Sequence, residues 1–241
     1  MLKKNTIVFD FDGTLVDSNQ IKHKCFFLST TNYKEHHKKL NKIISNNINF
    51  DRYDIIREFG LQVNIPSKEI ENIINSYNLL VSEQIYNAKE IKGSSEIINI
   101  ANKNRMNIYI NSATPILELK KTIRIRGIKV LDKNIYGKPN SKIKNMQDIL
   151  LIEKDRSHIL FVGDGLLDKQ CAENFKIDFA CIRNKDNKEW SIKEKFNFSN
   201  NHDLLKYMQQ GEEQVQDIMS SLHVSWPPPS IENTLKRTKK N

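Results

Sequence analysis

Two carboxylates stand two residues apart in IVFDFDGTLVDS, residues 7–18, at the end of a short apolar run. A buried strand tolerates neither an unpaired charge nor two like charges close together. Asp10 and Asp12 therefore mark either a solvated sheet edge or a strand end that holds a cation and does chemistry. Alternation along a strand puts residues i and i+2 on one side, so the pattern predicts that both carboxylates point the same way. Gly13-Thr14 then lets the chain turn sharply and aim amide N–H groups back toward them. Such a corner suits an anion and a hard cation together.

Three later segments end in residues of the same kind. IYINSATP carries Ser112, with Thr114-Pro115 opening a helix; IYGKPNSK places Lys138 between Gly137 and Pro139; ILFVGDGLLD ends in Asp164, with Asp168 four residues on. Parallel strands gather such ends at one edge of the sheet, where open α/β folds bind ligands. The converged set is four carboxylates, one hydroxyl and one ammonium. It suffices for phosphoryl transfer through an aspartyl phosphate. Asp17 and Ser18 read instead as the start of the next helix, and Lys22, His23 and Lys24 as a solvated face of it. His36-His37 falls in a Lys-rich helix and reads as no metal site. Cys25, Cys171 and Cys181 are an odd set without metal-type spacing, read as reduced thiols that the chemistry does not need.

The elements that must position these groups follow from periodicity. Apolar runs at 6–9, 107–111, 129–135, 158–162 and 178–182 alternate with helical patterns at 94–104, 115–126, 141–152 and 166–175. That alternation predicts an α/β fold with a Rossmann-like, mostly parallel sheet. Thr114 caps one helix ahead of proline at its first position, and Ser141 caps the next. Residues 19–91 are too long for one crossover and hold helical stretches at 20–30, 34–45, 52–59 and 67–87. The last carries an apolar stripe of Ile70, Ile73, Ile74, Tyr77, Leu80 and Val81. This interval reads as an inserted all-helical cap, leaving 1–18 and 92–210 as the core. Beyond it, 212–224 is amphipathic (Val215, Ile218, Met219, Leu222), and Trp226-Pro227-Pro228-Pro229 stops that helix before a polar tail. The expectation for 211–241 is either loose order or a segment that docks a partner or a second copy.

The 241 residues carry 38 Lys and Arg against 29 Asp and Glu, a net charge of +9. The excess is spread: 11 basic against 9 acidic side chains over 15–92, and 21 against 14 over 93–210. A dispersed positive field draws anionic substrates but gives no reason to expect nucleic acid as a partner. No apolar run approaches the roughly 20 residues of a membrane span, and Asp10 interrupts the first run too soon for a signal-peptide core. The expected location is the cytoplasm.

Taken in order, DxDGT, strand-final Ser112, Lys138 before Pro139, and GDGLLD resemble the motifs of the haloacid dehalogenase-like hydrolases. The resemblance spans roughly residues 5–210 and includes the helical insert, which falls where phosphoglycolate phosphatases and β-phosphoglucomutases of that family carry a cap. It implies that Asp10 is the nucleophile. Asp12 would protonate the leaving oxygen and then deprotonate the hydrolytic water. Asp164 would bind Mg²⁺ with Asp10 and the backbone carbonyl of Asp12, Asp168 would support the metal, and Ser112 and Lys138 would hold the phosphoryl oxygens. Mg²⁺ and a lysine would offset the repulsion between carboxylate and phosphate, one unit pair at 4 Å being worth roughly 4 kcal/mol at an effective dielectric near 20. A carboxylate at position 12 implies phosphate esters rather than carbon–halogen bonds or phosphonates. The implied activity is Mg²⁺-dependent hydrolysis of a small phosphorylated metabolite. The alternatives are a phosphomutase, or a phosphatase-fold protein whose tail docks a partner. Two departures stand out: Leu166-Leu167 where polar residues are common, and KQCAENFKID lacking the glycine that usually precedes the next strand.

Overall fold

The computed structural model describes residues 4–46 and 51–210; the amphipathic stretch 212–224 and the tail lie outside them. Six strands form one sheet in the order β3-β2-β1-β4-β5-β6, every neighbouring pair parallel. They are β1 (Thr6–Phe9), β2 (Asn107–Pro115), β3 (Ile135–Lys138), β4 (Ile159–Gly163), β5 (Asp178–Ile182) and β6 (Phe196–Phe198). The helices are α1 (Asn19–Ser29), α2 (His37–Asn46), α3 (Arg52–Gln62), α4 (Ser67–Ile85), α5 (Ser94–Lys103), α6 (Ile116–Ile125), α7 (Lys142–Glu153), α8 (Leu166–Phe175) and α9 (Lys188–Ser191). A further helical stretch covers 201–210. Among the described residues, no helix is long and apolar enough to cross a membrane.

β1 lies at the centre and is buried along its whole length, because helices cover both faces of a parallel sheet. Ile7 and Phe9 join one core cluster with α5, α6 and the cap. Val8 joins the other, with Met146 and Ile149 of α7 and Cys171, Ala172 and Phe175 of α8. The chain order reverses at β1, so the crevice outside its carboxyl end is where the fold leaves room for a ligand.

Four helices, α1 to α4, stand between β1 and α5. Phe26, Leu40, Ile56 and Phe59 are buried there, and so are Ile70, Ile73, Ile74, Tyr77 and Val81 of the apolar stripe that the 3.6-residue spacing sets on one face of α4. Asp51 caps α3, accepting from the backbone N–H groups of Tyr53 and Asp54. Two chain segments join this insert to the sheet. Asp17 N–H donates to the Lys89 carbonyl at 2.8 Å, and Arg126 Nη1 donates to the carbonyls of Ile85, Tyr86 and Ala88 at 2.8–3.1 Å.

Several elements differ from the sequence expectation. The run at 129–135 is not a strand: it is irregular through a 3₁₀ turn at Asp132–Asn134, and pairing begins at Ile135. Leu131 is exposed there, and the chain enters the sheet only where buried Asn134 donates to the Ile108 carbonyl. The helix expected at 34–45 is α-helical only from His37 as α2; its first residues belong to a 3₁₀ segment, Thr31–His36, kinked at Tyr33. The edge strand β6 is three residues long, below the length at which alternation is readable. Where the family usually has glycine after α8, Lys176 takes φ 55° and closes the helix with its N–H on the Ala172 and Glu173 carbonyls. A non-glycine residue there costs roughly 1–2 kcal/mol.

Candidate active site

Asp10 is the first residue past β1, and its N–H donates to the Val162 carbonyl at 2.9 Å. It continues the face of Val8, the side on which α7 and α8 pack. On that side Lys142, the first residue of α7, sets its ammonium 2.7 Å from Asp10 Oδ1 and in contact with Asp168 Oδ1. α7 is fixed at both ends. Ser141 accepts from Lys144 N–H, and Asn111 donates to the Lys142 carbonyl at 2.9 Å. At the far end Glu153 accepts from Thr6, Asn107 and Tyr109. A register set by these five hydrogen bonds leaves the lysine little freedom to move.

The third carboxylate comes from the turn after β4. Asp164 Oδ1 accepts from Thr14 at 3.1 Å, and Oδ2 accepts from Asn19 at 2.9 Å and Asn184 at 2.7 Å. Asn187 donates to the Asp164 backbone carbonyl, while Asp168 Oδ2 accepts from Gly165 N–H. Gly13, at φ 76°, makes the close approach possible: a Cβ there would stand 2.3 Å from Asp164 Oδ2 and 2.4 Å from Asn19 Nδ2.

Asp10, Asp164 and Asp168 are all buried and offer one oxygen each within 4.8 Å of one another. Burial raises Asp10 well above the usual carboxylate range, with Lys142 opposing and Asp168 and Asp164 adding to the rise. Burial and Asp168 push Asp164 up to about 7. Burial opposes the charge on Lys142, but Asp10 and Asp168 outweigh it and raise its pKa. Fully ionised, the three carboxylates would carry two more negative charges than Lys142 offsets in a place shielded from water, a deficit that adds to burial in raising Asp10 and Asp164. Hard oxygen donors with that charge deficit fit a hard divalent cation.

Asp12 is set apart from this cluster. Its Oδ2 lies 2.5 Å from Lys22 and accepts from Thr114 Oγ1 at 2.8 Å, while Oδ1 accepts from Ser18 at 2.6 Å. Burial alone would raise its pKa, yet Lys22 and the two hydroxyls lower it to about 2. The two carboxylates of the DxD pair thus have separate partners and opposite electrostatics.

The sequence-derived residues distribute as follows. Asp10, Asp164 and Asp168 come together. Ser112 is buried, but it is not strand-final: β2 continues three residues further to Pro115, and the Ser112 hydroxyl accepts from Thr114 N–H. Lys138 does not join the carboxylates; its ammonium meets Asp51 of the cap. Lys142 reaches Asp10 instead. Sequence reasoning passed over Lys142 and read Lys22 as solvated, and it gave no role to Asn19, Asn184 or Asn187. The signal for Lys142 was its place directly after a capping serine at a strand-to-helix turn, where N1 of a helix faces the sheet edge. Ser18, read as a helix start, is that and also a donor to Asp12.

A model of the haloacid dehalogenase-like hydrolase family matches residues 7–182. No curated protein matches the chain. Among solved structures, a protein described as a predicted phosphoglycolate phosphatase from Haemophilus somnus is similar over 86% of this chain and 99% of its own, at 16% identity and TM-score 0.67. A haloacid dehalogenase-like family hydrolase from Streptococcus pneumoniae is similar over 86% and 100%, at 18% identity and TM-score 0.62. The hydrolase YfnB from Bacillus subtilis, solved bound to magnesium, is similar over 86% and 99%, at 14% identity and TM-score 0.65. At these identities the likeness is one of fold.

Proposed function

The chain belongs to the haloacid dehalogenase-like hydrolases, and from that premise we propose that it is a Mg²⁺-dependent phosphatase that hydrolyses a small phosphorylated metabolite through an aspartyl phosphate. The observation that carries the reading is the split in the DxD pair: Asp10 shares a buried three-carboxylate cluster with one ammonium, and Asp12 is held apart from it by Lys22, Ser18 and Thr114.

Asp10, Asp164 and Asp168 would hold the cation, with the Asp12 backbone carbonyl completing the protein's share. Mg²⁺ supplies charge compensation that keeps Asp10 ionised and offsets its repulsion from phosphate. The Asp10 carboxylate oxygen forms a bond to phosphorus as the ester P–O bond breaks, and the leaving oxygen takes a proton from Asp12. For that step Asp12 must be protonated, which requires Lys22 to exchange Asp12 for an anionic phosphoryl oxygen. Having given its proton to the leaving oxygen, Asp12 is a carboxylate and takes a proton from the water that attacks phosphorus, as the bond from phosphorus to the Asp10 oxygen breaks and phosphate is released. Lys142 bridges Asp10 and Asp168 and would hold a transferring phosphoryl oxygen; Ser112 and Thr114 would offer hydroxyls on the same edge of β2. The helical insert, residues 19–91, would cover the site during transfer.

The test is phosphate release from a panel of small phosphate esters, with and without Mg²⁺, for wild type and Asp10→Asn. Release that needs Mg²⁺ and disappears in the variant supports the reading. Release that persists in Asp10→Asn refutes the aspartyl-phosphate route.

A further inference from the structure

Asp164 is held differently from the other carboxylates of the site. Lys142 pairs with Asp10 and Asp168, and Lys22 pairs with Asp12. Among the described residues no lysine or arginine pairs with Asp164. Its carboxylate has three neutral donors instead. Asn184 Nδ2 at 2.7 Å and Asn19 Nδ2 at 2.9 Å both donate to Oδ2, and the Thr14 hydroxyl donates to Oδ1 at 3.1 Å. Cations stand close by in the sequence, since Arg183 and Lys185 flank Asn184, yet both are exposed.

The loop after β5 fixes Asn184 through a second asparagine. Asn184 Oδ1 accepts from the Asp186 and Asn187 N–H groups at 2.8 and 3.1 Å, and Asn187 Oδ1 accepts from Asn184 N–H at 2.9 Å. With each amide oxygen on backbone donors, each amide nitrogen is turned to acceptors. Asn187, 3% exposed, donates to the Asp164 carbonyl at 2.9 Å and to the Ile182 carbonyl at 2.8 Å. The pair therefore grips Asp164 at its carboxylate and its backbone and ties both to the end of β5. The second amide on Oδ2 comes from the other side, because Asn19 is the first residue of α1.

A donor without charge does what an ammonium cannot. It fixes the plane of a carboxylate and leaves the negative charge for a cation, whereas an ammonium in the same place would offset that charge and compete with the cation. Oδ2 already accepts two N–H groups and Oδ1 only one hydroxyl, so Oδ1 has the greater capacity to spare. Resting on the cation assignment in the reading above, we propose that the two amides on Oδ2 are positioning residues for Asp164. Asn184, braced by Asn187, and Asn19 hold Oδ2 so that Oδ1 is presented to the divalent cation. Neither asparagine is itself a ligand, and neither touches the substrate.

The experiment uses the full chain, with Mg²⁺ alone as the probe. For wild type, Asn184→Ser and Asn19→Ala, the Mg²⁺ concentration that gives half-maximal stabilisation against heat is measured, together with the melting temperature in EDTA. Serine keeps an acceptor for the Asp186 N–H but is too short to reach Asp164. Loss of a partner that orients a metal ligand typically weakens binding about 10–100-fold. The expected midpoint rises at least about tenfold in Asn184→Ser and at least about threefold in Asn19→Ala. An unchanged midpoint in Asn184→Ser overturns the proposal whatever the melting temperature in EDTA, because a purely structural role would move only the latter. Wild type that Mg²⁺ does not stabilise overturns it too. Phosphate release from p-nitrophenyl phosphate is followed on the same samples. Raised midpoints in the variants, with no release by wild type at any Mg²⁺ concentration, support the proposal and refute the phosphatase reading. Should Asn184→Ser fail to fold, Asn19→Ala removes the other amide from the same oxygen without touching the loop, and its midpoint decides.

Discussion

Lys138 and Lys142 are four residues apart, and only one can carry the charge that stabilises a transferring phosphoryl group. Lys142 lies 2.7 Å from Asp10 Oδ1, and its side chain is 11% exposed. A phosphoryl oxygen delivered to Asp10 comes within about 4 Å of that ammonium. One unit charge pair at that distance is worth roughly 4 kcal/mol at an effective dielectric near 20, or about a thousandfold in rate. Lys138 faces Asp51, with the two side chains 28% and 22% exposed. Burial lowers its pKa, and a part-exposed pair of this kind contributes about 0–1 kcal/mol. Lys142→Met is therefore expected to lower kcat/KM about a thousandfold and Lys138→Met less than about tenfold, read as phosphate release from p-nitrophenyl phosphate at saturating Mg²⁺.

The metal titration separates this from simple damage to the site. Lys142→Met leaves Asp10, Asp164 and Asp168 without their one ammonium among the described residues. The Mg²⁺ concentration for half-maximal stabilisation against heat should then stay the same or fall. Removing one partner of a buried pair costs about 3–5 kcal/mol, so the assay temperature is set below the melting transition of the weaker variant. A thousandfold loss in Lys138→Met, with Lys142→Met within tenfold of wild type, would refute the reasoning and restore Lys138 as the phosphate-holding residue.

Two other outcomes follow from the packing around the site. Glu153 collects hydrogen bonds from Thr6, Asn107 and Tyr109, and bonds to a charged group are worth about 1.5–3 kcal/mol each. Glu153→Leu should lose about 3 kcal/mol in urea unfolding, since its part exposure discounts the sum; a loss under 1 kcal/mol would mean that α7 is held elsewhere. Burial pushes the Cys171 and Cys181 thiols up to about 12. A raised pKa holds each thiol neutral in the folded chain, so its contribution is full below the ordinary thiol value and is lost as pH climbs from there toward 12. Native protein at pH 8.5 should resist iodoacetamide at both positions until guanidinium unfolds it, and peptide mass mapping would reveal any early labelling.

What the sequence displayed and what it concealed divide along a physical line. Asp10 and Asp164 were legible because each directly follows a fully buried parallel strand, and Asp168 because it lies in the first turn of the helix just after Asp164; the parallel order brings such strand ends together whatever lies between them. β1, β4 and β5 were legible for the same reason: continuous apolar runs on both faces admit little else. Val130 and Leu131 misled because an apolar pair in an irregular segment looks like a strand until a buried polar anchor, Asn134, shows where the sheet begins. The lysines mark the sharper limit. Alternation holds inside a strand and lapses in the turn after it, so nothing in GKPNSK states whether the strand's last lysine or the helix's first one faces the carboxylates. That choice is made by the direction in which α7 leaves its serine cap and by the three donors that hold Glu153 at its far end. Lys22, Asp51 and Arg52 are concealed more deeply. Each belongs to an insert whose partners, Asp12, Lys138 and Glu118, lie on the core. Their pairing is a property of how two separately patterned units dock, and no periodicity within either unit encodes it.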